Sequence, residues 1–490
     1  MVIRELVQSR LKSNFKIFNR EGNQVEPSRI VKEYNAIRQY LLDNHSKAND
    51  CIAIKQKKDY LYFLTILACQ EIGITYIPMK HDYPMDRVAQ IQKDSNFSLL
   101  ISDEEIAKIL NYKDQIITDL PQISSETNAY IIFTSGSTGR PKGVVIQRKA
   151  LQNFYTWTND YFSNLTNKDR LLQVTEFTFD ISLLDIGLFL TKNIETYFSN
   201  WEGNIFKLGF EIETHRISAL NTVPNNLNMF LSDLVAERMD YKCLKFLFIA
   251  GSRFSHGLYE KCLKYFPEPI EVYNLYGPTE STVYSHGKKF HFVESLDCKN
   301  GNVSIGTPLP NVFSAIVIDN KAVNPGESGE LLLGGIQLLK EYSNNPEQTA
   351  SVIVDFEGNR YYKSGDLAFM DEKGDHFIVG RNDDTIKYRG FRINLLDIDS
   401  YITRVPYVQD SVTVAIEDSN AENLTIGFII LREQKNIKEL KKDLGALLLD
   451  YQIPEKIIFV DKFPVNVSGK VCKNTLKAQY LESLNKVKND

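Results

Sequence analysis

A loop rich in glycine and hydroxyl side chains is the strongest chemical signal in the sequence. It runs Thr134-Ser-Gly-Ser-Thr-Gly-Arg-Pro-Lys-Gly143, directly after the apolar strand candidate Ala129–Phe133. Its glycines let the backbone approach a ligand closely, and backbone N–H groups in such a loop form a nest for anions. Lys142 adds a compact positive charge suited to phosphate. Because the G-K-[ST] ending of a Walker A loop is absent, the segment predicts a phosphate site of another kind.

Three further strand candidates also end in polar or glycine-rich loops. Leu171–Val174 precedes the helix-like segment Ile181–Leu190, Leu244–Ile249 runs into Ala-Gly-Ser, and Ile270–Tyr273 runs into Asn-Leu-Tyr-Gly-Pro. Alternating strands, loops and helices are typical of an α/β fold, in which ligands gather at the carboxyl ends of strands. We therefore expect these loops and the glycine-rich loop to form one site.

The pattern changes after about Val379 and predicts a second, α+β domain of about 100 residues. We expect two short strands on either side of Asp383-Asp384 and a helix from Leu395. The later elements are predicted at Val412–Ile416, Leu424–Leu431 and Lys456–Val460 as strands and at Ile437–Leu449 as an amphipathic helix. The predicted domains are residues 1–380 and 384–490, with a hinge at residues 381–383.

Composition excludes several classes of protein. The 490 residues, 43% hydrophobic and 24% charged, are typical of a folded soluble protein and not of a disordered or fibrous one. The net charge of −5 does not suggest a nucleic-acid binder. The start of the chain, Met1–Asn14, is too polar for a signal peptide, and the apolar run Leu61–Cys69 is too short to span a bilayer. The six cysteines lack zinc-binding spacing, so we expect free thiols in a cytoplasmic protein without membrane partners.

The glycine-rich loop resembles the phosphate loop of the adenylate-forming superfamily, which includes acyl-CoA synthetases and the amino-acid adenylation domains of nonribosomal peptide synthetases. Further motifs match in the family's order. They are Phe179–Ser182 (F-D-x-S), Asn274–Glu280 (N-x-Y-G-P-T-E), Gly329–Gly334 (G-E-L-x-x-x-G), Tyr362–Asp366 (Y-x-[ST]-G-D), Gly380–Gly390 (G-R-x-D-x-x-x-K-x-R-G) and Ser468–Lys470 (the terminal G-K). The resemblance implies a large multi-layer α/β N-terminal domain and a small, mobile α+β C-terminal domain.

The resemblance also implies which residues bind ATP. Asp366 would accept hydrogen bonds from the ribose hydroxyls, as a carboxylate can, and Arg381 would contact the ribose or the phosphates. Tyr276 offers a flat face to adenine, and Asn274 offers an amide to its edge. The full implied set is Thr134, Ser135, Gly136, Ser137, Thr138, Gly139, Lys142, Gly251, Asn274, Tyr276, Gly277, Asp366 and Arg381.

Four residues are expected to serve the chemical step: Lys142, Thr279, Glu280 and Lys470. Glu280 resembles the family's magnesium-binding glutamate, and Mg²⁺ is commonly held by one carboxylate plus substrate phosphates. Thr279 would bond a phosphate or carboxylate. Lys470 would bridge the substrate carboxylate and the α-phosphate, where a cation can favour the transition state over the ground state.

The F-D-x-S motif predicts the substrate class. In amino-acid-activating relatives its aspartate, here Asp180, binds the α-ammonium group, although an aspartate before a helix can also serve as an N-cap. The implied pocket is Asp180, Ile181, Leu184, Thr222, Phe248, Ala250, Leu275, Val283, Tyr284 and Lys470. Apart from the two charged residues, which would face the backbone groups of the substrate, it is uncharged, so we expect a small to medium uncharged side chain. A similarity to D-alanine–carrier-protein ligases keeps alanine open.

We therefore expect an AMP-forming ligase that uses ATP and Mg²⁺ to activate an amino acid and then loads it on the phosphopantetheine thiol of a carrier protein. Only twenty residues follow Lys470, so the carrier is expected to act in trans unless the chain is part of a larger synthetase. Between the two steps the small domain would rotate about Asp383 and bring a loop with Lys387, Arg389 and Gly390 to the site. The alternatives are an acyl- or aryl-CoA ligase and a non-catalytic carrier-binding module of the same fold.

Overall fold

The computed structural model describes most of the chain and divides it into two compact units. The described residues are 2–44, 50–112, 120, 122–134, 141–231, 240–252, 254, 256–266, 270–292, 298–299, 302–381, 385–417, 423–464 and 473–489. The large unit comprises Met1–Phe133 and Gly143–Gly380, and the small unit comprises Thr134–Lys142 and Arg381–Asp490.

The helices are α1 (Ile3–Lys12), α2 (Pro27–Asn44), α3 (Tyr60–Ile72), α4 (Met85–Ser95), α5 (Asp103–Ile109), α6 (Arg148–Tyr161), α7 (Ser182–Lys192), α8 (Ile205–Thr214), α9 (Pro224–Phe230), α10 (His256–Tyr265), α11 (Pro346–Val352), α12 (Leu395–Ile402), α13 (Ile437–Leu444) and α14 (Lys473–Asn489). Short 3₁₀ turns lie at Thr279–Ser281 and Asp450–Gln452. No helix in the described ranges is long and apolar enough to cross a membrane.

The first strands are β1 (Ile17–Phe18), β2 (Gln24–Val25), β3 (Cys51–Gln56), β4 (Thr75–Lys80), β5 (Leu99–Ser102), β6 (Asn128–Thr134), β7 (Lys142–Gln147), β8 (Arg170–Gln173), β9 (Glu195–Phe198), β10 (Ala219–Thr222), β11 (Phe246–Ile249), β12 (Glu271–Tyr276), β13 (His286–His291) and β14 (Cys298–Lys299). The remaining strands are β15 (Asn302–Val303), β16 (Thr307–Pro308), β17 (Val312–Ile318), β18 (Lys321–Ala322), β19 (Gly329–Gly335), β20 (Glu341–Tyr342), β21 (Ile353–Phe356), β22 (Asn359–Met370), β23 (His376–Arg381), β24 (Thr385–Tyr388), β25 (Phe391–Asn394), β26 (Val408–Glu417), β27 (Asn423–Leu431) and β28 (Lys456–Phe459).

Three larger sheets form the frame of the large unit. A nine-stranded sheet has the order β16-β13-β12-β11-β10-β8-β9-β1-β2, and a six-stranded sheet has the order β20-β7-β6-β4-β3-β5. A third sheet has the order β18-β17-β19-β22-β21, with β23 paired to β22. The glycine-rich loop thus follows a strand of the six-stranded sheet, whereas the other predicted loops follow strands of the nine-stranded one.

The centre of the nine-stranded sheet is parallel and buried on both faces. Strands β8, β10, β11 and β12 pair in parallel. Along β11, Phe246 and Phe248 belong to one buried cluster of apolar side chains, and Leu247 and Ile249 belong to another. A continuous apolar run is what a strand covered on both faces requires, since successive side chains point to opposite faces.

The small unit packs helices on a three-stranded sheet. Strands β26 and β27 pair antiparallel, and β28 joins β27 in parallel. Its core includes Ile398 and Ile402 of α12, Leu440 and Leu444 of α13, and Ile429 of β27. The predicted fold class, a large α/β domain followed by a smaller α+β domain, is confirmed.

Most predicted elements are confirmed, although β26 begins at Val408 rather than Val412, β12 ends at Tyr276 rather than Tyr273, and one helix is shorter than expected. The amphipathic helix expected at Ile437–Leu449 is α13, which ends at Leu444. Gly445 takes the C-cap position, and two backbone N–H groups beyond it, those of Leu447 and Leu448, bond back to the Leu444 carbonyl. The bond from Leu447 N–H to a carbonyl three residues back tightens the chain into a 3₁₀-type turn, and glycine lowers helix stability. The helix therefore ends here although the apolar pattern continues for five more residues.

Candidate active site

A hydrogen bond joins two of the predicted nucleotide residues. The hydroxyl of Tyr276, the last residue of β12, donates to Asp366 Oδ2 of β22 over 2.5 Å. Both side chains are buried, with 7% and 4% exposure. Ser364 Oγ accepts from the Asp366 backbone N–H at 3.0 Å and donates to the Leu331 carbonyl at 2.6 Å. Tyr276 is therefore fixed by its strand β12, and Asp366 is fixed by β22 and by the hydrogen bonds of Ser364.

Asn274 is held by a contact that sequence reasoning did not find. Its Nδ2 donates to the Ser304 carbonyl over 2.8 Å, and the residue is 3% exposed. Ser304 itself is fixed, because its Oγ accepts from Gly306 N–H and donates to the His376 carbonyl. With one side of its amide anchored in this way, Asn274 is presented in a fixed orientation at the carboxyl end of β12.

The turn after Tyr276 is tight and strained. A Cβ on Gly277 would lie 2.4 Å from the Val283 carbonyl oxygen, so only glycine fits there. Thr282 and Val283 both have positive φ, 55° and 68°. Such left-handed backbone is costly for β-branched residues and persists only where the surroundings enforce it.

Gln337 enforces this turn, and no sequence signal pointed to it. Its side chain is fully buried and its Nε2 donates to the carbonyls of Ser281, Thr282 and Tyr284. Its Oε1 accepts from Asn153 Nδ2 at 2.8 Å and from the indole N–H of Trp157 at 2.9 Å. The hydroxyl of Thr282 returns a bond to the Gln337 carbonyl. We call this set the Gln337 clamp.

Glu280 is buried in the same turn. It has no exposed surface, and its Oε1 accepts from the Tyr342 hydroxyl at 2.6 Å. Tyr342 belongs to β20, which pairs with Val144 of β7. The neighbouring Thr279 is half-buried in the 3₁₀ turn. An oriented carboxylate offers the hard oxygen ligand that Mg²⁺ prefers, so the residue fits the metal role implied for it.

The predicted phosphate loop is described at its two ends. Thr134 ends β6, and its buried Oγ1 has no hydrogen-bond partner among the described residues. Lys142 begins β7 and is 9% exposed. Gly251, directly after Ala250 at the end of β11, has a φ of +87°. The predicted residues Ser135, Gly136, Ser137, Thr138 and Gly139 lie outside the described residues.

Asp180 is a buried carboxylate beside two tyrosines. It is 8% exposed. The pKa values of the Tyr130 and Tyr284 hydroxyls lie well above the usual value, chiefly because these hydroxyls are buried and secondly because of the charge of Asp180. Helix α7 begins at Ser182, so Ile181 and not Asp180 occupies the N-cap position. Asp180 therefore lies two residues before the assigned start of the helix.

The described apolar and aromatic residues of the predicted pocket are all buried. All seven apolar or aromatic members belong to one cluster of buried side chains, and Thr222 ends β10 with 2% exposure. They come from α7 and its start, from the ends of β11 and β12, and from the strained turn. The seven are Ile181, Leu184, Phe248, Ala250, Leu275, Val283 and Tyr284.

A second carboxylate, Asp185, lies five residues after Asp180 and was not predicted. It is fully buried on α7 and accepts from Thr175 Oγ1 at 2.7 Å and from Asn221 Nδ2 at 2.9 Å. Burial raises the pKa of Asp185 to about 7, against these hydrogen bonds, which lower it. Asn221 also donates to the Ile181 carbonyl at 3.2 Å, so the network fixes the start of α7 and with it the segment that carries Asp180.

The remaining predicted residues belong to the small unit or lie outside the description. Lys387, Arg389 and Gly390 lie on the hairpin of β24 and β25, whose turn residues Arg389 and Gly390 both have positive φ, 50° and 83°. Arg381 is the last residue of β23. Lys470 and Asp383 lie outside the described residues.

Two family matches cover most of the chain. The family described as AMP-binding enzyme matches residues 18–343, and the AMP-binding enzyme C-terminal domain matches residues 397–470. The chain is 30% identical over 482 residues to a dimodular nonribosomal peptide synthase of Bacillus subtilis (strain 168), a match that covers 93% of this chain and 20% of the relative. It is 31% identical over 442 residues to bacitracin synthase 1 of Bacillus licheniformis, a match that covers 86% of this chain and 8% of the relative. The chain thus spans a fifth or less of the length of these relatives.

Solved structures share the fold at lower identity. An artificially fused adenylation–PCP di-domain from Klebsiella oxytoca superposes with a TM-score of 0.83 at 21% identity, covering 93% of each chain. An o-succinylbenzoate CoA synthetase from Bacillus subtilis reaches a TM-score of 0.81 at 19% identity, covering 97% of this chain and 98% of that one. Since the AMP-binding match covers more than half of the chain, the protein belongs to the AMP-binding enzymes, a family of ATP-dependent, adenylate-forming ligases, and nonribosomal peptide synthetases are among its homologues.

Proposed function

We propose that the protein activates an amino acid with ATP and transfers it to a carrier protein. In the first half-reaction a carboxylate oxygen of the amino acid attacks the α-phosphorus of ATP, the bond to the β-phosphate breaks, and pyrophosphate leaves. In the second, the phosphopantetheine thiol attacks the acyl carbon, AMP leaves, and the thiol proton passes to solvent. The carrier acts in trans or as part of a longer chain.

The burial of Asp180 is the observation that carries the choice of an amino acid. A carboxylate with 8% exposure, set among apolar side chains, favours a cationic ligand, because a buried charge is stabilised by an opposite one. Burial first, and then the charge of Asp180, raise the pKa of the Tyr130 and Tyr284 hydroxyls, so both tyrosines lie within the electrostatic reach of this carboxylate. An α-ammonium group is the cation that an amino acid brings.

The rest of the pocket supports an uncharged side chain. Its seven clustered members are apolar or aromatic, and the nearby carboxylate of Asp185 is already occupied by Thr175 and Asn221. A charged substrate side chain would lose its hydration there without a partner. The support is for a small to medium uncharged side chain, with alanine among the candidates.

The nucleotide end supports the first half-reaction. The bonded pair of Tyr276 and Asp366 would orient the ribose, and Asn274, anchored at Ser304, would read the edge of adenine. Lys142 and Lys470 would supply positive charge to the phosphates and the attacking carboxylate, which is how phosphoryl transfer is mostly accelerated. Glu280 would hold Mg²⁺ together with phosphate oxygens, and the ion would offset phosphate charge.

Amino-acid-dependent exchange of labelled pyrophosphate into ATP tests the proposal. A screen over amino acids of both chiralities should give strong exchange with one or a few uncharged amino acids. Asp180→Asn should raise the KM of that amino acid about 10–100-fold, since a charge-assisted hydrogen bond contributes about 1.5–3 kcal/mol. The KM of ATP should not change. Asp371→Asn, which alters another buried aspartate in the turn after β22, is the matched control.

The fold similarity to a CoA synthetase favours a second candidate, an acyl- or aryl-CoA ligase. That alternative predicts pyrophosphate exchange with carboxylic acids that lack an amino group. It also predicts that Asp180→Asn leaves the KM of the acid unchanged. Exchange with no acid at all, together with retained binding to a carrier protein, would instead indicate a non-catalytic carrier-binding module.

A further inference from the structure

An open cleft on the large unit is lined almost entirely by cations. Its volume is about 310 Å³. Apart from Ser218 and Cys243 the lining residues are basic, and no carboxylate is among them. They are Lys168, Arg170, Arg216, Lys242 and Lys245. We call this the basic cleft.

The basic cleft lies at the amino ends of strands in the nine-stranded sheet, whereas the candidate active site lies at their carboxyl ends. Its residues come from the start of β8 and from the segments that lead into β10 and β11. The pocket and nucleotide residues instead follow the carboxyl ends of β10, β11 and β12. Each of the three cleft strands has four residues, which separates the two edges by about 13 Å at 3.3 Å per residue. The cleft is therefore a separate feature.

The charge of the cleft is only partly compensated. Arg170 pairs with Glu195 at 3.1 Å, Lys245 lies 3.6 Å from Asp169, and Lys242 lies 3.9 Å from Asp240. Lys168 and Arg216 have no carboxylate within 4.0 Å in the described part of the chain. Glu195 also pairs with Lys16, so its charge is shared. Positive charge exceeds negative charge at this point of a protein whose net charge is −5.

The backbone holds Arg216 at this site despite a steric penalty. Helix α8 ends in a Schellman motif, in which Ile217 N–H bonds to the Ile212 carbonyl and Arg216 N–H to the Glu213 carbonyl. Arg216 has the left-handed conformation of that motif, with a φ of 50°, at the position where glycine is favoured. A guanidinium thus occupies a place that glycine would fill at lower energy.

The floor of the cleft is rigid. Ser218 Oγ donates to Asp169 Oδ1 at 3.0 Å and accepts from Arg170 N–H at 2.9 Å. The carbonyl of Ser218 accepts from the backbone N–H groups of both Lys245 and Phe246. Because these bonds tie the three strand starts together, the cationic side chains rise from a preorganised base, which lowers the entropic cost of binding.

We propose that the basic cleft binds a small anion with two or more linked phosphate groups. Guanidinium groups match phosphate oxygens in pairs, and ammonium groups add point charges around them. A concave site of this volume suits a small ligand, whereas a stable protein interface requires about 800 Å² on each partner. The shared chemistry is a phosphoanhydride, present both in free pyrophosphate and in the tail of a nucleotide.

Lysine footprinting locates the binding directly. The full chain is acetylated with and without inorganic pyrophosphate, in the absence of Mg²⁺ and ATP, and modification is read by mass spectrometry. Pyrophosphate should protect Lys168, Lys242 and Lys245 but not the exposed lysines Lys93 and Lys321. Protection should weaken as NaCl rises, because salt screens exposed charges. A parallel arm with ADP tests whether a nucleotide is preferred over the free anion.

Two variants separate binding from folding. Arg216→Gly should leave the thermal midpoint unchanged or higher, because it relieves the left-handed strain. Combined with Lys168→Gln it should weaken pyrophosphate binding at the cleft about tenfold or more, since bonds to charged groups contribute about 1.5–3 kcal/mol each. The pair Lys93→Gln and Lys321→Gln removes two positive charges elsewhere on the large unit and should leave binding within about twofold. Amino-acid-dependent exchange should persist in all variants.

Several results would overturn the proposal. Equal acetylation of the cleft lysines with and without pyrophosphate and ADP would do so. An unchanged affinity in the Arg216→Gly, Lys168→Gln variant would do the same. Protection by a glutamate-rich peptide but not by either phosphate ligand would make the cleft a protein-docking surface and the phosphate proposal wrong.

Discussion

The bond between Tyr276 and Asp366 shows how single residues build the proposed nucleotide site. The two are 90 positions apart and come from different sheets, yet the phenol hydroxyl meets the carboxylate at 2.5 Å. A hydrogen bond to a charged group is worth about 1.5–3 kcal/mol, more than one between neutral groups. Tyr276 is thus expected to do two things: its ring would stack on adenine, and its hydroxyl would orient the carboxylate of Asp366.

We predict that Tyr276→Phe keeps the aromatic ring but no longer orients the carboxylate of Asp366. The KM of ATP should rise about tenfold, in line with the loss of one bond to a charged group, while the KM of the amino acid stays constant. Tyr273→Phe is the matched control, because its hydroxyl on the same strand bonds Glu271 instead. Steady-state exchange kinetics measure both constants, and equal effects of the two variants would contradict the assigned role.

The second residue-scale prediction concerns Asp185, whose folded-state pKa of about 7 exceeds the usual 3.8. Between these values the folded protein holds the proton and the unfolded chain does not, so stability falls as pH rises. Asp185→Asn removes this titration. The thermal midpoint of the variant minus that of the wild type should therefore increase from pH 5 to pH 8.

The difference between the two proteins isolates Asp185 from other titrating groups. His286 and His376 act in the opposite sense, since burial lowers the pKa of both, but they are present in both proteins and cancel. Asp82→Asn, at an exposed turn, should show no such trend. A difference that is flat or that decreases with pH would show that Asp185 is ionised in the folded state across this range.

At the scale of elements, the turn between β12 and β13 depends on the segment directly after β19. The strained residues Thr282 and Val283 hold their conformation because Gln337 bonds the surrounding carbonyls. The same turn carries Glu280 and two members of the proposed substrate pocket, Val283 and Tyr284. One amide side chain therefore supports both the proposed metal ligand and the wall of the proposed pocket.

We predict that Gln337→Met, close in size, lowers stability and damages the pocket together. Buried carbonyls that lose a donor cost about 1–3 kcal/mol each, so the thermal midpoint should fall by several degrees. Among the kinetic constants, the KM of the amino acid should rise more than that of ATP. Gln122→Met at an exposed position is the control. A fall in stability with unchanged KM values would limit Gln337 to a structural role.

At the scale of the whole molecule, the proposed function requires one site to serve two reactions. The proposed lysine for the first step, Lys470, and the hairpin with Arg389 and Gly390 both belong to the small unit. Adenylation and thiol transfer have different steric needs, so we infer that the small unit changes its position about residues 381–383 between them.

Replacing the proposed hinge residue tests this. Proline fixes φ and removes a donor, so Asp383→Pro should trap one arrangement. We expect exchange to continue while loading of the carrier falls about tenfold or more, as gating motions can limit turnover. Asp82→Pro, in a turn of the large unit, controls for the substitution itself. Parallel loss of both half-reactions would place the hinge elsewhere, and full loading would show that no rotation about Asp383 is needed.

Local pattern was enough for the strands, the fold class and the position of the main motifs. Apolar runs such as Phe246–Ile249 predict buried strands because both faces are covered. The loops after β8, β11 and β12 leave the same end of the sheet because β8, β10, β11 and β12 run parallel. The helix end at Leu444 was misjudged because the apolar period continues past Gly445, where the chain tightens into a 3₁₀-type turn.

Contacts between segments that are distant in the sequence could not be predicted from local pattern. Ser304, Gln337 and Tyr342 bond to partners 30 to 62 residues away in the sequence. Gln337 also bonds to Trp157, 180 residues away, and no spacing rule predicts any of these pairs. The basic cleft is the same case, because Lys168, Arg216 and Lys245 each have the local pattern of a solvated surface residue. They become one site only because β8, β10 and β11 are neighbours in the sheet, and strand order is set by how the whole core packs, which no short stretch of sequence encodes.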